Sequence, residues 1–239
     1  MAAGAVLIVA HPGHELLLHR WMEINRPTVF VLTDGSGSRG RPRTATSREI
    51  VTNTSSRCGA VFGERPDDEW YQAVLDGDAS RFLDVAEQMR SDLIEIPQII
   101  VVDAIEHYNP MHDLAAAVAI ALARRTGVHE LLCYPIERET FGRQPFMTIE
   151  LTEAELNRKQ EAARSYLELA REVEVYEQRP SLRSETLFSL NASSAFAEVL
   201  RSRPFYESFG AQRVEQGRFQ QLITYRDHVR PLATKIMNG

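Results

Sequence analysis

The sequence predicts an α/β fold: a Rossmann-like, mostly parallel sheet with helices on both faces. Short apolar runs bounded by Gly, Pro or Asp recur at Ala5–Ala10, Thr28–Leu32, Gln98–Asp103 and Leu131–Tyr134, as buried strands do. Stretches with helical apolar spacing lie between them, and strand–helix–strand order favours parallel pairing. A length of 239 residues fits one large α/β domain.

Taken in order, the first strand breaks off at His11-Pro12-Gly13-His14-Glu15, and Leu16, Leu17, Leu18, Trp21, Met22 and Ile24 mark a helix over Glu15–Asn25. Pro27 ends it, because proline biases its predecessor away from helical geometry. After the second strand, Thr33–Arg43 is a polar loop rich in Gly, Ser and Arg. Its Arg39, Arg41 and Arg43 suit either a phosphate cradle or a mobile rim of the active cleft; the spacing matches neither a Walker loop nor a dinucleotide fingerprint, which favours the rim. A helix is expected from Thr46 to about Phe62, then a loop at Pro66–Tyr71 whose Trp70 and Tyr71 either stack on a ligand or pack in the core. A further helix is expected over about Ser80–Ile96, and a strongly apolar one over Leu114–Ala123. Thr152-Glu-Ala-Glu155 is a capping box opening a long helix to roughly Tyr176. Residues 180–239 are expected to be a carboxyl-terminal appendage of the same domain, with Arg201, Arg203, Arg213 and Arg218 interleaved with Phe205, Tyr206, Phe209 and Phe219. Such a stretch serves either an anionic substrate or partner subunit, or simply packing.

With 44% hydrophobic and 25% charged residues the composition is that of an ordinary soluble globular protein. No apolar run approaches the roughly 18 residues of a membrane span. Met-Ala-Ala-Gly runs straight into the first strand and lacks the marks of a secretory signal. Cys58 and Cys133 make no disulfide framework, which points to a reduced, cytoplasmic setting. A net charge of −6 argues against general nucleic-acid binding. The expected partner is a small-molecule substrate, with no membrane and no nucleic acid; a homo-oligomer is compatible with the composition.

The chemistry concentrates at strand ends, where open α/β sheets place their sites. His11 and His14 end the first strand, and His112 stands at another strand-to-helix junction, after the loop Ala104–Met111. Two junctions delivering imidazoles to one side of a sheet suit a three-ligand metal site. Exposed loop histidines are the bland alternative for His11 and His14. His107 reads either as a further contributor or as a surface residue, and His19 as structural. Asp34 ends the second strand and reads either as a carboxylate near the metal or as a turn carboxylate bonding nearby amides.

Val9-Ala-His-Pro-Gly-His-Glu15 resembles the Ala-His-Pro-Asp-Asp-Glu signature of the PIG-L/LmbE-like deacetylases. Leu32-Thr33-Asp34-Gly35 is similar to that family's Leu-Thr-x-Gly turn, and Asn109-Pro-Met-His112-Asp113 to its His-Pro-Asp-His motif. Arg48 and Glu49 resemble an Arg and a Glu of its corresponding helix. Arg158-Lys159, Ala162 and Tyr166 resemble its late Lys-x-x-Ala-x-x-x-Tyr helix. The resemblance spans roughly residues 5 to 170 and implies a zinc-dependent N-deacetylase-like hydrolase of C–N amide bonds on an amino sugar or related small molecule; the partner expected is an N-acetylated sugar or an anionic metabolite. It implies one Zn2+, or another divalent metal, held by His11, His14 and His112. His14 stands at the family's aspartate ligand, giving a neutral three-histidine shell. Gly13 stands where the family has its general base, and Asn109 and Met111 replace a histidine and an aspartate. Asp34, Glu15 and Asp113 are the substitute bases expected, Asp34 first; Asn109 could donate to an oxyanion. The other readings are a metalloenzyme of another reaction type and a catalytically silent metal-binding protein.

Overall fold

In the computed structural model, which describes residues 4–37, 40–137, 143–170, 173–174, 180–197, 200 and 202–239, one sheet organises the chain. Its strands are β1 (Ala5–Val9), β2 (Thr28–Thr33), β3 (Arg57–Arg65), β4 (Ile99–Asp103), β5 (Glu130–Tyr134), β6 (Met147–Glu150) and β7 (Ser184–Ser189). They lie in the order β3-β2-β1-β4-β5-β7-β6. The first five run parallel, and β7 and β6 add an antiparallel edge. The expected Rossmann-like α/β fold is what the chain adopts.

Strand alternation builds two cores. Val6, Ile8 and Ala10 point to one face, Leu7 and Val9 to the other, because successive side chains leave a strand on opposite sides. The first face is covered by α3 (Asp67–Asp76), α4 (Ala79–Asp92), α5 (Pro110–Thr126) and α8 (Arg230–Asn238). The second is covered by α1 (His19–Asn25), α2 (Thr44–Asn53) and α6 (Glu153–Arg164). The apolar run in α5 is explained by its place: it packs against α4, α8 and β4, and every residue from Pro110 to Ala123 is buried. Among the described residues no helix is long and apolar enough to cross a membrane.

Several elements differ from expectation. The helix expected to reach Phe62 stops at Asn53, because Ser55 takes a left-handed φ of 61° and the chain turns into β3. The Pro66–Tyr71 loop is the start of α3, with Asp67, Asp68 and Glu69 in its first turn where the helix dipole favours acids. Its Trp70 is core, donating Nε1–H to the Leu32 carbonyl at 3.1 Å. A short 3-10 turn, His14–Leu18, precedes α1. The capping box of Thr152 and Glu155 is present, but α6 ends at Arg164, followed by a 3-10 turn at Leu167–Leu169. Strands β6 and β7 had no expectation, and β7, within 180–239, pairs with β5 inside the sheet. Farther on, α7 (Phe205–Glu215) is followed by a wide π-type turn, Tyr225–Val229, that feeds α8. Arg39, Tyr176 and Arg201 lie outside the described residues. Cys58 and Cys133 are both free thiols.

A buried ion pair ties the antiparallel edge to the rest. Lys159 Nζ donates to Glu185 Oε1 at 2.8 Å and to the Leu17 carbonyl at 2.8 Å. Glu185 also accepts the backbone N–H groups of Arg20 and Trp21, orphan donors at the start of α1. One carboxylate from β7 thereby caps one helix and neutralises a lysine from another.

Candidate functional site

The strand order reverses direction at β1, with β2 on one side and β4 on the other. In open α/β sheets the crevice outside the carboxyl ends of strands at such a switch point is where ligands bind. His11 and His14 follow β1, and His112 is the third residue of α5, just beyond β4. Gly13 makes the turn between the first two: its φ of 110° is open to glycine and rarely to other residues. Asn109 sets the start of α5, its Oδ1 accepting from the Met111 N–H at 2.8 Å, with Pro110 at the first helical position.

These junctions bring the three imidazoles together. Ring centres are 5.3 Å apart for His11 and His14, 5.3 Å for His11 and His112, and 4.6 Å for His14 and His112. Asp103, at the end of β4, holds the group. Its Oδ2 accepts from the Ala10 N–H at 2.8 Å and from His14 Nδ1 at 2.7 Å, and its Oδ1 accepts from the Tyr134 hydroxyl at 2.9 Å. His11 Nδ1 lies 2.8 Å from Thr33 Oγ1 and 3.2 Å from Asp67 Oδ1. In His11 and His14 the Nδ1 position is thus engaged, which leaves Nε2 as the lone-pair nitrogen. His11 Nε2 and His112 Nδ1 are buried without a partner.

The electrostatics follow from this packing. Burial alone would lower His14, but the charge and hydrogen bond of Asp103 outweigh it and hold the imidazole above its ordinary value. His112, buried beside two other imidazoles and lacking a carboxylate, is driven well below it. Burial would raise Asp67, but the hydrogen bond and charge of His11 prevail and hold it at about 2. Burial pushes the Glu15 carboxyl up.

Buried side-chain polar atoms without a partner gather at this end of the sheet. Among the described residues they include Glu15 Oε1, Arg43 Nε and Ser47 Oγ as well as the two imidazole nitrogens, while Tyr206 Oη lies elsewhere. Native proteins leave few such atoms, each costing about 1–3 kcal/mol, so their concentration marks a place built for something other than stability.

The remaining sequence candidates fall as follows. Asp34 Oδ1 accepts from the Ser36 N–H at 2.8 Å, a turn carboxylate. Glu15 is fully buried, with Oε2 accepting from the Gly13 N–H at 2.7 Å. Asp113 is clamped by the N–H groups of Glu106 and His107 and by His107 Nδ1, which lies 2.9 Å from its Oδ2. His107 carries a left-handed φ of 57° and packs edge-on to Tyr225. Asn109 donates Nδ2–H to the Tyr71 hydroxyl at 3.2 Å. Arg48 stacks over Phe62, 4.3 Å from its ring centre. Beside the cluster, Tyr108 lies between His112 and Phe205 and lines a cavity of about 390 Å3 with His107, Arg203, Phe205 and Ser208. The carboxyl-terminal stretch therefore reaches the neighbourhood of the histidines. Asp103, Asp67, Thr33 and Tyr134 escaped the sequence reading as site residues. The available signal was a carboxylate ending an apolar strand, but which strands adjoin is fixed only by topology.

Fold and cluster together define an α/β protein of Rossmann-like strand order with three histidines at its switch point. Neither a family model nor a curated protein matches this chain.

Proposed function

We propose that this chain is a zinc-dependent hydrolase of C–N amide bonds, resembling the PIG-L/LmbE-like N-deacetylases, with His11, His14 and His112 as the metal ligands. The observation that carries the reading is the meeting of three imidazoles at the switch point, two of them backed by carboxylates. Three imidazoles bound tetrahedrally at a Zn–N distance of ~2 Å would keep their ring centres ~5 Å apart, the spacing found here. Carboxylates behind ligating histidines fix the tautomer and raise ligand basicity, as Asp103 and Asp67 are placed to do. The chemistry of the donor set suits zinc, although among the described residues no group of three or more His, Cys, Asp or Glu side chains is placed so that it could hold a metal ion.

Zinc, when bound, would supply Lewis acidity toward an amide carbonyl and lower the pKa of water. The chain supplies the rest. Asp103 and Tyr134 hold the His14 ring, and Thr33 and Asp67 hold that of His11. Glu15 is the carboxylate we assign as proton acceptor in preference to Asp34: its Oε1 has no partner, and burial raises its pKa, which makes it the stronger base. Asn109 is committed to capping α5 and positions His112. The substrate is a small N-acetylated molecule, and the two free thiols support a reducing, cytoplasmic setting.

One observation favours a second reading, a metal-binding protein without hydrolysis. A Cβ at Gly13 would come within 2.5 Å of Leu169 Cδ1, so the place of the family's base is filled by an apolar side chain. Acetate release from a panel of N-acetylated amino sugars separates the two. Release by the zinc-loaded chain, falling about 100-fold or more in Glu15→Gln with zinc retained, supports the hydrolase. A zinc-loaded chain inert toward the whole panel supports the silent reading.

A further inference from the structure

The loop Thr33–Arg43 contributes one residue that the proposed chemistry leaves unused. Arg43 is half-buried and its backbone is fixed at both ends: its N–H donates to the Asp34 carbonyl at 2.8 Å, and its carbonyl accepts from the Tyr166 hydroxyl at 3.1 Å. Its Nε is buried without a partner, and among the described residues the guanidinium makes no hydrogen bond or ion pair. The other arginines near this end contrast with it: Arg65 reaches Glu69 and Arg48 covers Phe62.

The place of this guanidinium is built. Gly35 has a φ of 68°, and a Cβ there would lie 2.6 Å from Arg43 Nε, 2.9 Å from its Nη2 and 2.9 Å from Pro12 Cδ. Only a residue without a side chain leaves the slot in which the guanidinium lies beside Pro12, next in sequence to His11. The guanidinium therefore stands beside the turn that carries His11 and His14. A buried guanidinium nitrogen costs free energy unless it is paired, and the group presents a planar fork of donors matched to two oxygens of a carboxylate or phosphate.

We propose that Arg43, seated over Gly35 beside the histidine cluster, is a binding residue for an oxyanion, so that the molecule this crevice takes carries a carboxylate or phosphate group. The inference adds a charge to the substrate of the proposed hydrolase, but oxyanion binding by Arg43 needs no metal and stands or falls separately.

The test is titration of the full chain with inorganic phosphate and with acetate at constant ionic strength, as purified and after chelator treatment, followed by calorimetry. At least one anion should bind the chelator-treated chain at one site, with affinity reduced 10-fold or more in Arg43→Gln and severalfold in Arg43→Lys, which keeps the charge but loses the fork. Preference for phosphate would identify a phosphorylated ligand, and preference for acetate a carboxylated one. Should Arg43→Gln fail to fold, Arg43→Lys is read in its place. Wild-type affinity in these variants overturns the inference, as does the absence of binding of either anion by the wild-type chain. A chain that takes up no zinc yet loses anion binding in Arg43→Gln would refute the metal reading alone.

Discussion

Asp103 joins the amide of Ala10, the imidazole of His14 and the hydroxyl of Tyr134 through its two oxygens. Replacing it with Asn removes the charge and leaves one oxygen, which cannot accept both from the His14–Ala10 pair and from Tyr134. Zinc affinity should fall about 10- to 100-fold in Asp103→Asn, read by competition with a chromophoric chelator. Unchanged affinity would show that the carboxylate does not act through His14. The same carboxylate sets the pH response. Because it holds His14 above the ordinary imidazole value, the protonated ring competes with metal from a higher pH, and affinity should already decline as pH falls toward about 6.5. The histidines were legible in the sequence, since metal-type residues at strand-to-helix junctions stand out. Asp103 was not, because its role depends on β4 lying beside β1. Asp34 was read both ways, and its oxygen at the Ser36 N–H favours the turn role.

Among the elements, the antiparallel edge depends on one buried pair. Lys159→Ala strands the Glu185 carboxylate in the interior, and loss of one partner of a buried pair costs about 3–5 kcal/mol. Denaturant unfolding should show that loss. Lys159→Met with Glu185→Gln should recover part of it, because the glutamine oxygen can still accept from one of the Arg20 and Trp21 N–H groups while no buried charge is left over. A loss below about 1 kcal/mol in Lys159→Ala would mean that the edge is held elsewhere. The late Lys-x-x-Ala resemblance includes Lys159, but it gave no sign of this burial against a strand that itself carried no sequence signal. Elements bounded by apolar runs or caps, such as β1, β2, β4 and α6, were readable. β3 was not: helical and strand patterns overlap in Val51–Phe62, and the left-handed turn at Ser55 separates them.

For the molecule as a whole, function follows from order rather than from any one motif. Two parallel βα units, turned away from each other at β1, leave a crevice at the strand ends, and the chain puts His11, His14, His112 and Arg43 around it. The fold class could be read from alternation of apolar runs and helices. The edge strands could not, since β6 is half exposed and β7 lies in the stretch expected to be an appendage. Buried polar atoms without a partner collect at this same end of the sheet, and the two packed cores bear their cost.

The direct measurement is the metal content of the purified chain after incubation with zinc and removal of excess. One zinc per chain is expected, with His11→Ala, His14→Ala and His112→Ala each greatly weakened while circular dichroism shows the fold retained. A wild-type chain that keeps no zinc, or a His112→Ala chain that keeps the full amount, would contradict the three-histidine metal centre.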